Sequence, residues 1–307
     1  MLAVLTITAP IFVVMAMGFF AVRFEMFTES QLAALGKFVI RIGLPMLVFH
    51  AIATRPIADV FSPIYLAGYG MASLLAFVVG WAASRYRGQE AVLSALNGLA
   101  TGMSNTGFIG YPLAVMALGN SAGIYFAMNV LIENILILPL MFVLIDLAKG
   151  SEKVGATLRR LAINLLKNPI ILALLIGLFF SVSAIPVPAV LERVSAMLAS
   201  AASPLALFVI GGGLVGLSVQ GNLKDILPVV IGKLLVFPLL VVACLWGFGA
   251  SKEIMFAGAL LASVPMASMY PIFGRQYGFA RQTAAVMLLT TVISFFSISL
   301  VLLLGHG

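Results

Sequence analysis

Charge is what this 307-residue chain has least of. Only 9% of its positions are Asp, Glu, Lys or Arg, against about 25% in a soluble domain. Cysteine occurs once, at Cys244, which excludes an intrachain disulfide and a cysteine metal cluster. Two histidines make a poor metal-ligand set. No HExxH, GxSxG or GxxxxGK[ST] motif is present, so the chain is not read as an enzyme, and ATP hydrolysis by a P-loop is excluded. Met1 leads almost directly into an apolar run without a basic n-region, so no cleavable signal peptide is expected.

What the chain has is apolar sequence: 63% of residues are hydrophobic, in long runs with short polar gaps. That pattern predicts an all-α polytopic membrane protein. Ten spans are expected, over 3–22, 32–54, 64–84, 91–118, 122–147, 168–184, 195–219, 226–248, 253–275 and 281–304. The longest connection carries Lys149, Lys153, Arg159, Arg160 and Lys167. It divides the chain into a first five-helix repeat (1–148), a cytoplasmic linker (149–167) and a second five-helix repeat (168–307).

The net charge of +7 implies topology here, with no nucleic-acid partner, because the basic residues sit mainly between spans. Odd-numbered loops hold twelve Lys and Arg and even-numbered loops three. The positive-inside rule then makes the odd loops cytoplasmic and turns both termini outward. Arg41 and Lys233 lie within spans near their cytoplasmic ends, where long side chains are expected to snorkel to the interface.

A repeat appears at a fixed offset of 159 residues. Pro10 matches Pro169, Pro45 matches Pro204 and Pro112 matches Pro271, as do Gly18 and Gly177, Gly119 and Gly278, Phe49 and Phe208, and Tyr111 and Tyr270. A unit of five spans is odd, so its copy inserts upside down. That is the inverted-topology repeat of many secondary transporters.

Two equivalent spans are broken. In the fourth, Gly107, Gly110 and Pro112 weaken the helix just after Ser104, Asn105 and Thr106. In the ninth, Pro265 and Pro271 flank Met266, Ser268 and Tyr270. Exposed to lipid, such breaks would be costly; they persist where protein buries them or where they line a cavity. The first break alone reads equally as a packed kink. Paired with its repeat, it reads as a crossing near the midplane, whose half-helix N-termini attract an organic anion, typically a carboxylate. Ser104, Asn105, Thr106, Gly107, Pro112, Pro265, Met266, Ser268, Tyr270 and Pro271 are the candidate substrate-binding residues.

Glu133, near the middle of the fifth span, is an intramembrane carboxylate and hence a functional candidate. With Asn129 one turn earlier and Asn134 adjacent, it is a candidate site for a coupling Na+ or H+; a hydrogen-bonded structural Glu is the alternative. Its repeat equivalent is Val292, so the acidic group is not duplicated. No cofactor and no bound metal are expected. His50 reads as a hydrogen-bonded helix-end imidazole, Asp146 as a solvated carboxylate, and Gly211, Gly212, Gly213 and Gly216 as close-packing positions. Arg275 and Arg281 mark the inner boundary, and Arg275 is a candidate for substrate access from the cytoplasm.

The run Asn105-Thr106-Gly107-Phe108-Ile109-Gly110-Tyr111-Pro112-Leu113 resembles the NTxxxGxPL signature of the auxin efflux carrier family. Pro265 through Ile272, with Tyr277-Gly278, resembles that family's second crossover. The resemblance covers the whole chain, and the short central loop resembles bacterial members, malonate-type dicarboxylate carriers among them. It implies a scaffold of helices 1, 2, 6 and 7, with a homodimer through those helices, and a transport unit of helices 3–5 and 8–10 that slides as an elevator. It also implies that Asn105 contacts the substrate carboxylate. The second crossover departs from the family spacing by one residue between Pro265 and Pro271. The expected function is therefore secondary transport of small organic anions (mono- or dicarboxylates) across a bacterial inner membrane. Sodium-coupled symport of larger, sterol-like anions and a non-transporting receptor or sensor are the alternatives, and a membrane enzyme is a more distant third.

Overall fold

The computed structural model describes residues 2–150, 154–183, 185–217 and 223–305. Lys153 of the linker lies outside the described residues. In chain order the helices are α1 (Leu2–Arg23), α2 (Glu29–Phe38), α3 (Leu44–Ala53), α4 (Ile57–Val60), α5 (Pro63–Tyr86), α6 (Ala91–Gly102), α7 (Tyr111–Leu118), α8 (Ala122–Ile132) and α9 (Leu138–Ala148). They continue as α10 (Val154–Leu166), α11 (Pro169–Ser183), α12 (Ala189–Gly213), α13 (Leu223–Ile231), α14 (Phe237–Gly247), α15 (Lys252–Ala262), α16 (Met269–Gln276) and α17 (Ala280–Gly305).

Among the described residues seven helical segments are long and apolar enough to cross a membrane, eight if the broken pair α10–α11 counts as one. The chain is thus an all-helical, polytopic membrane protein. The difference from ten expected spans has a local cause. A crossing needs about 20 residues, and the two broken spans supply only shorter pieces: Ala91–Gly102 before the first break, and Lys252–Ala262 and Met269–Gln276 around the second. In addition, Thr106–Ala148 runs for 43 residues as one apolar segment. The sequence also gave no warning of α10 inside the linker.

Four π turns interrupt the helices among the described residues: Val39–Gly43, Thr106–Gly110, Glu133–Ile137 and Gly232–Val236. Each begins six residues before a proline, respectively Pro45, Pro112, Pro139 and Pro238. Proline brings no N–H to the ladder and crowds the carbonyl four residues back. A locally widened turn accommodates both effects, and such turns concentrate at functional sites.

The chain divides into two compact units: Met1–Ser62, Gly107–Val130 and Asn164–Gly216 form one, and Pro63–Thr106, Leu131–Ile163 and Leu217–Gly307 the other. In the first, α1 packs on α12 and α3 packs on α11. Glycine allows both approaches. A methyl on Gly18 would strike the Phe208 carbonyl, and one on Gly177 would press on Ile52 and the Phe49 carbonyl. Those contacts exchange under the 159-residue offset: Gly18 with Gly177, Phe208 with Phe49. Gly211 lies against the Met15 carbonyl and Gly212 against Leu32 and Val22, whereas Gly213 meets nothing. His50 Nδ1 lies 3.2 Å from Ser195 Oγ, in keeping with a hydrogen-bonded helix end.

In the second unit α5 packs along α6, and α14 along α5 and α15. Its core includes Phe77, Leu96, Leu99, Ile137, Met141, Ile226, Val230, Tyr270 and Val286. Leu235, Leu239 and Trp246 on the opposite side of the α13–α14 segment are exposed, as expected where the solvent is lipid. Asp146 is not merely solvated, because it accepts a hydrogen bond from Thr157 Oγ1. Arg41 is exposed.

Candidate functional site

The site is built where two helices stop inside the second unit. Helix α6 runs close along α5, since Gly98 and Gly102 leave room for Phe77 and the Ser73 carbonyl. It ends at Gly102, and Met103 adopts an extended conformation. Helix α15 ends at Ala262, and the chain stays irregular until α16 opens at Met269. The two irregular stretches pair with each other. Ser104 and Met266 form an antiparallel bridge, and the Asn105 N–H donates to the Pro265 carbonyl at 2.8 Å. That pairing satisfies backbone groups that the breaks would otherwise strand in apolar surroundings.

Side chains lock the crossing. Asn105, 3% exposed, donates from Nδ2 to Ser268 Oγ at 2.8 Å. Thr106 Oγ1 donates to Glu133 Oε1 at 2.5 Å. Lys233 donates from Nζ to Ser104 Oγ at 2.7 Å and to the Ala262 carbonyl at 3.2 Å. Its Nζ also sits 4.3 Å from the centre of the Phe237 ring. Tyr69 OH is 3.5 Å from Ser104 Oγ. Thr290 Oγ1 donates to Met266 Sδ, and Ser297 Oγ to the Ser263 carbonyl. Thr106, Glu133 and Lys233 each occupy the first or second position of a π turn.

Lys233 corrects the sequence reading. It does not snorkel: its side chain is fully buried and turned into the protein. A signal was available, because Lys233 lies ten residues into the 25-residue segment Leu223–Gly247. Ten residues of helix rise about 15 Å, half of a hydrocarbon core, too deep for a lysine arm to reach water. Asn97 was missed altogether. It is fully buried on α6, accepts the Tyr270 hydroxyl at 2.8 Å, and donates to Ser84 Oγ at 3.0 Å and Gln89 Oε1 at 2.9 Å. Gln89 follows Gly88, whose φ of +77° sets the turn after α5.

Of the candidates named from sequence, Ser104, Asn105, Thr106, Pro265, Met266 and Ser268 come together, with Glu133 joined through Thr106. Tyr270 turns its hydroxyl to Asn97, and Pro271 is half-buried at the start of α16. Gly107 and Pro112 belong to the first unit, where Gly107 packs on Leu44 and Phe126. Asn129 is buried on α8 of the first unit, and Asn134 is half-buried on the π turn it shares with Glu133. Arg275 is exposed at the end of α16. Chemically, the crossing offers the Lys233 amine, hydroxyl and amide donors, and one carboxyl, all drawn from the second unit.

A family model described as "Membrane transport protein" matches residues 3–302. A protein named "Putative malonate transporter" from Rhizobium meliloti (strain 1021) is 27% identical over 293 residues, 93% of this chain and 90% of that one. "Uncharacterized transporter YfdV" from Escherichia coli (strain K12) is 25% identical over 207 residues, 66% of each chain.

Proposed function

We infer, from the premise that this chain belongs to the membrane transport protein family and is a transmembrane transporter, that its cargo is a small organic acid anion of the mono- or dicarboxylate class. The observation that carries the reading is the crossing itself: Lys233, Ser104, Asn105 and Ser268 gather amine, hydroxyl and amide donors at two interrupted helices. A carboxylate is the ligand such a donor set suits, through charge-assisted hydrogen bonds. The relative named for malonate supports the dicarboxylate end of that range.

The wider reading is a ten-span inverted repeat. The 43-residue segment Thr106–Ala148 would be about 65 Å long as one helix, twice a bilayer core, and Gly119 interrupts it at φ +59°. Dividing it there, joining α6 to α7 and joining α15 to α16 restores ten crossings. Spans 1, 2, 6 and 7 act as scaffold and dimer surface, and spans 3–5 and 8–10 carry the anion as an elevator. Both termini face outward from a bacterial inner membrane, and Glu133 serves H+ or Na+ coupling.

The test is Asn105→Ala in proteoliposomes with radiolabelled malonate. The expected result is lost uptake with normal insertion and unchanged elution as a folded protein. Uptake at the wild-type rate would refute the assignment of Asn105 and of the crossing as the substrate site.

A further inference from the structure

Helix α10 stands in the stretch between the two repeats, and its sides differ. Thr157 is buried and bonds Asp146, while Leu161 and Leu165 are half-buried. The other side is apolar and bare. Leu158, Ala162 and Leu166 follow at i, i+4 and i+8 and form one stripe. All three are exposed, Leu158 by 45% and Leu166 by 63%. Ile163 widens the stripe, Arg159 sits at its edge, and Arg159 and Arg160 are both exposed. Nearby, Lys149 Nζ lies 4.4 Å over the Tyr277 ring. Burial raises the Tyr277 phenol, and the Asp146 charge adds to this while the Arg160 charge opposes it.

Charge and reach select the occupant of this face. Residues 149–167 contain five basic residues and one acidic residue. Only Lys167 and Asn168 separate Leu166 from Pro169, where the apolar helix α11 begins. That connection spans at most about 11 Å, so the end of α10 stays within headgroup distance of a membrane helix. An apolar stripe edged by the Arg159 guanidinium at that depth fits the boundary between acyl chains and phosphates.

We propose that α10 is a lipid-docking helix that seats Leu158, Ala162 and Leu166 in the bilayer interface and sets Arg159 on the phosphates of anionic phospholipids. The helix lies in the membrane plane and fixes the central connection to the leaflet. A second copy of the chain or a soluble protein on the same stripe would leave a different signature.

The full-length chain, in a Cys244→Ala background with Ala162→Cys carrying an environment-sensitive fluorophore, is placed in nanodiscs of phosphatidylcholine alone or mixed with phosphatidylglycerol. The expected result is a blue-shifted label shielded from aqueous iodide, with stronger shielding in the anionic discs. Arg159→Gln should reduce the anionic preference about fivefold, the factor for one basic residue near such a surface, whereas Arg160→Gln should leave it unchanged. Tryptic cleavage after Arg159 and Arg160 in the wild-type chain gives an independent readout, slower in anionic discs. Equal iodide access and equal cleavage in both lipids would overturn the proposal. So would shielding that rises with protein concentration, the mark of a second copy.

Discussion

Lys233 Nζ donates to Ser104 Oγ at 2.7 Å, which ties a fully buried ammonium to the residue where the first helix break meets the second. Two residues on, Thr106 donates to the Glu133 carboxyl at 2.5 Å. Lys233 and Glu133 are therefore held by neighbouring residues of one helix break, Ser104 and Thr106. Burying either charge alone is costly.

That proximity makes the two groups interdependent. Lys233→Met keeps the packing stem and removes the charge and donors. It should destabilise the protein by about 1–3 kcal/mol, because Ser104 Oγ and the Ala262 carbonyl lose their buried donor. Adding Glu133→Gln should recover part of the loss. Thermal unfolding in detergent of both singles and the double measures the coupling; strictly additive losses would show that the residues do not interact.

Lys233 also brings a protein-borne cation to the crossing. Uptake should therefore persist when potassium replaces sodium on both sides of the proteoliposome. Abolished uptake in sodium-free medium would overturn this expectation and favour Glu133 as a sodium ligand.

The Tyr270 hydroxyl is held by Asn97, so it is withheld from the substrate. Tyr270→Phe should cost about 1–3 kcal/mol of stability, the penalty for stranding a buried acceptor, with an unchanged KM for uptake. A tenfold rise in KM with intact folding would return Tyr270 to the binding site. Asn97→Leu should be worse than Tyr270→Phe, since it strands partners at Ser84 and Gln89 as well.

Glycine contacts in the first unit differ in severity. Gly211→Ala drives a methyl into the Met15 backbone, and Gly18→Ala into that of Phe208. Backbone cannot rotate aside, so each should cost at least the 1–3 kcal/mol typical of overpacking. Gly177→Ala meets Ile52 at 3.2 Å and the Phe49 carbonyl at 3.4 Å, and should be milder. Melting temperatures of the three variants give the order; a Gly177→Ala protein less stable than Gly211→Ala would contradict it.

The sequence by itself determined the solvent and the punctuation. Sparse charge and long apolar runs demanded a membrane, because ionised side chains cannot be scattered through lipid. Pro265 and Pro271 flagged the second break, between α15 and α16, whereas the first break falls at Met103–Asn105, just before Gly107, Gly110 and Pro112, which themselves lie in helix. The offset joining Gly18 to Gly177 and Phe49 to Phe208 was equally legible, and the structure sets these residues in exchanged contacts. Tertiary structure alone decided how the breaks are satisfied and which polar groups face inward. The antiparallel seam between Ser104 and Met266 joins residues 162 positions apart, and no local rule states which strand end a freed carbonyl will meet. Lys233 and Asn97 show the same limit. The depth of Lys233 in its span speaks against water, but nothing in the sequence names Ser104 as its partner. Only the packing of α5, α6 and α15 around it supplies the hydroxyl and carbonyl that make burial tolerable.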